Sequence, residues 1–259
     1  MALKPAKARK LVEQRIMPVS EFSKQVKCLF YGHNGHGKTR LAASGPKPLI
    51  VDINEKGTQS VRNYPDTDVF PVGKWEDIQY VYWYLKEGDH PYQTVILDTL
   101  TQGQALCIAT VLKQQEDRDP NRPPKMPDRR TWGQVGEMMK EQILNFRNLP
   151  LNVVFVCQIR KDYNEDEEAG TDWVPDLSPA SRATAMASVG IMGYVYQGKV
   201  KVANKKSKQT EDKWITKMLV GPHEHYKTKD RTGSLGYIMS RPTMSKIIEA
   251  NAATADEEE

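Results

Sequence analysis

The chain has 259 residues, 39% of them hydrophobic and 27% charged, with a formal net charge of +4. That size and balance suit one α/β domain with small appendages and exclude global disorder. No apolar run approaches the roughly 20 residues of a membrane span, and the basic N-terminus lacks a secretory apolar stretch. A cytoplasmic protein without membrane contact is therefore expected.

Cys28, Cys107 and Cys157 sit in apolar surroundings without C-x-x-C spacing, so they read as buried thiols of a reducing compartment. Residues 1–24 form a basic lead-in through Lys4, Lys7, Arg9, Lys10 and Arg15. A single domain over residues 25–250 is expected next, then a disordered acidic tail over 251–259.

The apolar run Val26 to Tyr31 reads as a buried strand. It enters Gly32-His33-Asn34-Gly35-His36-Gly37-Lys38-Thr39, and Arg40-Leu41-Ala42-Ala43 can continue as a helix. This is the phosphate-binding pattern G-x-x-x-x-G-K-[ST] in its required strand-to-helix setting. Glycines permit a turn whose backbone N–H groups point inward, and the helix start adds positive potential. Residues Gly32 to Arg40 are expected to hold a nucleotide. Lys38 would reach the β- and γ-phosphates, and the Thr39 hydroxyl would ligate Mg²⁺.

Gly45-Pro46-Lys47-Pro48 stops the helix, and Leu49 to Asp52 is a second short strand, followed by Asn54, Glu55 and Gly57. A strand over Val69–Val72 and a helix over Trp75–Lys86 come next, with Ile78, Val81, Tyr82 and Leu85 on one stripe. Tyr80, Trp83 and Tyr84 lie off that stripe. They offer either a stacking face for bases or packing against a neighbouring element or subunit.

Thr94 to Thr99 reads as a buried strand that delivers Asp98 to the sheet edge, where a carboxylate can support Mg²⁺. A helix is expected over 100–115. The proline-rich stretch 116–130 reads as a long basic surface loop with Arg122, Lys125, Arg129 and Arg130. Thr131 to Phe146 returns to helix, and Asn152 to Cys157 is a strand ending in Gln158-Ile159-Arg160. Lys161 to Asp176 reads as an acidic loop, and Ser178 to Ser188 as a short helix. Ile191–Val202 and Lys213–Val220 read as hairpin strands around a lysine-rich tip with Lys201, Lys205, Lys206 and Lys208. His225–Leu235 is a loop, and Pro242–Ala250 a terminal helix. His223 and His225 have no companion ligand pair and read as a surface turn. Strands alternating with helices argue a mostly parallel sheet with right-handed crossovers, extended by antiparallel structure in the last third.

A guanine-reading N-K-x-D is missing, since Asn204-Lys205 is followed by Lys206-Ser207. Asp98 is followed by Thr99 rather than glutamate, so the residue that polarises an attacking water must come from elsewhere. Glu55 is the natural choice, with Asp52 as a competitor. This arrangement resembles the RecA/RadA superfamily of P-loop ATPases, in which a glutamate after the second strand does that work. Thr94 to Thr99 is similar to that family's metal-supporting strand. Gln158 resembles its glutamine sensor of the γ-phosphate, which leads into a DNA-binding loop. Lys229-Asp230-Arg231-Thr232-Gly233 resembles its K-x-R finger, inserted into a neighbour's site. Over residues 25–250 the chain resembles compact phage-encoded RecA-like ATPases of the single-strand annealing and recombination type. One departure is the acidic stretch after Gln158, which would repel phosphates.

The resemblance implies a RecA-like P-loop core and a Mg²⁺-dependent ATPase acting on single-stranded DNA in recombination, annealing or replication, in the host cytoplasm if phage-encoded. Glu55, Lys38, Gln158, Arg231 and Lys229 would be catalytic, and the protein would assemble as a ring or filament. DNA would meet Arg122, Lys125, Arg129, Arg130, Lys201, Lys205, Lys206 and Lys208. The rival expectation is a nucleotide-dependent assembly or loading factor. It would hold a single-strand binding, replication or recombination protein on its acidic 162–176 stretch, with little DNA contact.

Overall fold

A computed structural model describes residues 5–18, 25–55, 57–64, 66–119, 126–163, 171–203 and 210–256. The expected DNA contacts Arg122, Lys125, Lys205, Lys206 and Lys208 lie outside these residues, as do Glu257 to Glu259.

Among the described residues the centre is a nine-stranded sheet. Its strands are β1 (Lys27–Tyr31), β2 (Pro48–Ile53), β3 (Asp68–Val72), β4 (Thr94–Asp98), β5 (Asn152–Cys157), β8 (Ile191–Ala203), β9 (Thr210–Leu219), β10 (Lys229–Asp230) and β11 (Ile238–Ser240). The order is β11-β9-β8-β1-β5-β4-β2-β3, with β10 alongside β8. From β8 to β3 neighbouring strands run parallel, and β9, β10 and β11 pair antiparallel. A separate two-stranded ribbon pairs β6 (Ile159–Tyr163) with β7 (Thr171–Pro175).

Both faces of the parallel strands are covered, which is why they read as unbroken apolar runs. Alternation divides them. Leu29 and Tyr31 of β1 join the core built with α3 (Trp75–Glu87), α4 (Leu100–Arg118), α5 (Arg129–Arg147) and α6 (Pro179–Ala187). Cys28 and Phe30 join the opposite core, with α2 (Lys38–Ala42) and α7 (Met244–Asp256). All three cysteines are buried free thiols.

The α/β fold with a mostly parallel sheet and antiparallel additions is thus as expected, with three local differences. The 161–176 stretch is not simply a loop, because its described parts form β6 and β7. Arg129 and Arg130 belong to the first turn of α5, where the Asp128 side chain accepts the Thr131 N–H, rather than to the proline-rich loop. α7 runs to Asp256, past the expected end at Ala250 and into the stretch expected to be a disordered tail. Within the lead-in, Pro5–Glu13 is helical (α1). No described helix is long and apolar enough to cross a membrane.

Candidate active site

Sheet register sets the site. Tyr31 pairs with Cys157, Val156 with Asp98, and Asp98 with Asp52, so β1, β5, β4 and β2 end level. The segments leaving these four strands therefore meet at one edge: the glycine loop after β1, Gln158 after β5, Thr99 after β4 and Glu55 after β2.

The loop has the backbone the motif requires. Gly35 and Gly37 lie at φ 77° and 94°, in the left-handed region that favours glycine. Nothing lies within 4 Å of a Cβ built on Gly35, so the space beside it is open. Lys38 is buried, and its Nζ donates to the carbonyls of Gly32 and His33, both at 2.9 Å. Burial lowers its pKa, opposed by the charges of Asp98 and Glu55. The first N–H groups of α2 have no partner within the helix, and no side chain caps Gly37. Open donors around a buried ammonium fit a polyphosphate.

Thr39 Oγ1 donates to Asp98 Oδ2 at 2.6 Å. One hydroxyl and one carboxylate fit Mg²⁺, which keeps several waters and takes phosphate oxygens in place of an all-protein cage. Among the described residues no group of three or more His, Cys, Asp or Glu forms such a cage. The Asp98 carboxyl is pushed up to about 6, chiefly by burial. The charges of Glu55 and Asp52 add to this, while the Thr39 hydrogen bond and Lys38 oppose it.

A folded pKa above the ordinary 3.8 means a contribution to stability that is present at acid pH and lost as pH rises through about 6. Asp98→Asn removes that loss. The nucleotide-free variant should be more stable than its parent at pH 8, by about 1–3 kcal/mol, with the gap narrowing as pH falls below about 6 and closing only below the ordinary 3.8. Melting curves across pH check this, and equal melting temperatures at pH 8 would contradict it.

Beside this pair, Glu55 Oε1 accepts from Gln158 Nε2 at 2.8 Å and from Thr99 Oγ1 at 3.2 Å. Glu55 and Gln158, 103 residues apart in sequence, thus touch. Asp52 is occupied differently, since its Oδ1 accepts the Glu55 backbone N–H at 3.1 Å. It holds the turn in which Asn54 adopts φ 59°. The Gln158 backbone N–H donates to Thr101 Oγ1, which donates to the Asp176 carbonyl.

The outer wall of the loop rests on the β8–β9 arm. Gln197 Nε2 donates to the His36 carbonyl at 3.3 Å and to Thr216 Oγ1 at 3.2 Å. A Cβ on Gly37 would meet Thr216 Oγ1 at 2.9 Å, and one on Gly32 the Val195 carbonyl at 2.3 Å. These two glycines are thus required by close approach as well as by conformation. Burial lowers the His36 pKa, and His36 Nδ1 is buried without a hydrogen-bond partner among the described residues. His33 packs edge-on against Trp173, which continues a ring stack through Tyr226, Tyr194 and Tyr196. Gln197, Thr216 and this stack were not legible in the sequence, because nothing local marks which strand will lie beside the loop.

Asn34 and Arg40 stand in and just after the loop, both exposed. Arg231 and Lys229 lie elsewhere. The Arg231 N–H donates to the Gly190 carbonyl, and the Gly190 N–H donates to the Lys27 carbonyl, at the opposite end of β1 from the glycine loop. Arg231 is exposed there. The Lys229 Nζ donates to the carbonyls of Met186 (2.6 Å) and Val189 (3.1 Å), at the C-terminal end of α6. Within the chain it satisfies helix-end acceptors.

A family model described as an AAA domain matches residues 24–232, which spans the strand before the glycine loop through Arg231. No curated protein matches the chain. On the extent of that match, and with a glycine loop, an aspartate strand and a parallel sheet in place, the chain belongs to the AAA-domain family of P-loop NTPases.

Proposed function

We propose that the protein is a Mg²⁺-dependent ATPase of RecA-like type that acts on single-stranded DNA in recombination, annealing or replication. The observation that carries this reading is the contact of Glu55 with Gln158 beside the Thr39–Asp98 pair. Strand β5 between β1 and β4 supports it, because it puts a neutral amide next to a carboxylate at the γ-phosphate end. Bound Mg²⁺ would draw charge from the transferring phosphate. Lys38 and the loop N–H groups hold the phosphate chain. Glu55 orients a water, and the amide of Gln158 can donate to either Glu55 or a phosphate oxygen, so it reports which is present.

DNA contact rests on the β8–β9 arm. Lys199 stands opposite Trp214 and Lys201 opposite Asp212, on the same face as Gln197 and Thr216. Trp214 is 61% exposed, with Lys199 Nζ 5.3 Å from the centre of its ring. An exposed ring among lysines suits base stacking with backbone neutralisation. Arg129 and Arg130 are also exposed. In the stretch on which the assembly-factor alternative rests, Asp162 pairs with Arg182, Asp172 with Lys227, and Asp176 lies 3.9 Å from Arg160, while Glu165, Asp166, Glu167 and Glu168 lie outside the described residues.

The decisive assay is ATP hydrolysis with and without single-stranded DNA and Mg²⁺, alongside DNA binding across a salt series. Stimulated hydrolysis and a steep salt slope are expected. Hydrolysis indifferent to DNA, with no measurable binding at low salt, would sink the reading. Trp214→Ala should weaken DNA binding by about tenfold, the scale of one stacked base, with little change in nucleotide affinity.

A further inference from the structure

We infer that Gln197 is a positioning residue for nucleotide: its side-chain amide fixes the His36–Gly37 peptide so that the Gly37 N–H is turned toward the phosphates. The inference rests on the nucleotide site of the proposed function and needs neither DNA binding nor hydrolysis.

The arm that carries Gln197 runs past the sheet beside the glycine loop. β1 pairs with β8 only as far as Tyr31 and Tyr194. Beyond that point β8 pairs with β9, and Gln197 stands directly opposite Thr216. The loop leaves β1 at Tyr31 and turns against this part of the arm. Some of the contacts are simple close approach. A Cβ on Gly32 would meet the Val195 carbonyl at 2.3 Å, and one on Gly37 would meet Thr216 Oγ1 at 2.9 Å. Another is directional: Gln197 Nε2 donates to the His36 carbonyl at 3.3 Å.

Direction matters here because Gly37, at φ 94° and without a Cβ, gives the preceding peptide little steric resistance to turning over. A trans peptide is planar, and its C=O and N–H point to opposite sides. Holding the His36 carbonyl on Gln197 therefore turns the Gly37 N–H away from the arm. A flipped plane would offer phosphate a carbonyl oxygen, which repels it, in place of a donor. The neighbouring carbonyls are tied in the same sense. Those of Gly32 and His33 accept from Lys38 Nζ, and that of Gly37 accepts from the Leu41 N–H. These ties come from the P-loop lysine and α2, whereas the tie on His36 comes from a strand laid down some 160 residues later.

An amide suits this task. A carbonyl only accepts, so Gln197 must present its nitrogen, and Thr216 Oγ1 accepts from the same nitrogen at 3.2 Å. Both N–H groups are then engaged, which holds the amide plane as well as its position.

The test uses the full chain with Mg²⁺. Gln197→Met keeps the length of the side chain and removes the donor, and Gln197→Glu also sets an acceptor against the His36 carbonyl. Equilibrium binding of ADP and of AMP is measured for each, beside the amide resonance of Gly37 in isotope-labelled protein. ADP affinity should fall about tenfold in Gln197→Met, the scale of one hydrogen bond to a charged group, and further in Gln197→Glu. AMP lacks the β-phosphate that such a loop cradles, so its affinity should fall less and the preference for ADP should narrow. ADP should move the parent's Gly37 amide proton strongly downfield, and in both variants that shift should shrink. Spectra without nucleotide show that each variant is folded. Unchanged ADP affinity in the variants overturns the inference. So does an equal loss for ADP and AMP with the Gly37 shift kept, which is the mark of a residue that only supports the fold. A parent that binds no ADP would instead sink the nucleotide reading itself, and the role of Gln197 with it.

Discussion

Glu55→Gln should leave nucleotide binding almost unchanged and lower hydrolysis by at least about 100-fold, the scale of a lost general base. The two carboxylates at the end of β2, Asp52 within it and Glu55 just after it, have separate tasks. Asp52 Oδ1 is committed to the Glu55 backbone N–H, so Asp52→Asn keeps an acceptor there and should cost far less. Glu55 reaches instead toward Gln158 and Thr99, beside the phosphate end of the site. Glutamine preserves its size and its acceptor oxygen but cannot take up a proton or pull one from water. Single-turnover hydrolysis measured beside equilibrium nucleotide binding separates the outcomes. Loss of binding in Glu55→Gln would mean that the residue shapes the pocket, and full activity would move the base elsewhere.

What the sequence disclosed about this site depends on range. The loop Gly32–Thr39 is legible because its chemistry is local: a strand, glycines at left-handed positions, then a helix start. Asp98 is legible for a similar reason, as the acid closing an apolar run. Glu55 and Gln158 could be named from their order along the chain, but their contact depends on β2, β4 and β5 ending level, which is a property of sheet register. Lys229 shows the opposite case. A Lys-x-Arg pattern carries no sign that the lysine will face the end of α6, built some forty residues earlier. β6 and β7 escaped notice because Arg160, Lys161 and Asp162 make the stretch polar. The ribbon is instead held by Trp173, which sits against Lys161 and stacks on Tyr226.

Arg231→Ala should lower hydrolysis by about 10³-fold or more if the residue completes a neighbour's site, since a finger can contribute on that scale. Within one chain it is out of reach. Its backbone joins, through Gly190, the Lys27 end of β1, and the five residues of that strand put about 16 Å between this point and the loop. The variant should therefore bind nucleotide as the parent does. Lys38→Ala should be inactive for the opposite reason, having a finger but no phosphate grip. In an equal mixture, a working site needs its own Lys38 and its neighbour's Arg231, each present half the time. About a quarter of parental activity should return where subunits exchange freely. The control is the double variant Lys38→Ala/Arg231→Ala, which supplies subunits without a finger and should rescue nothing. If Arg231→Ala alone retains full hydrolysis, or if the mixture stays at the level of the double-variant control, the site is complete in one chain. Arg231 would then be a solvated residue at the base of the sheet.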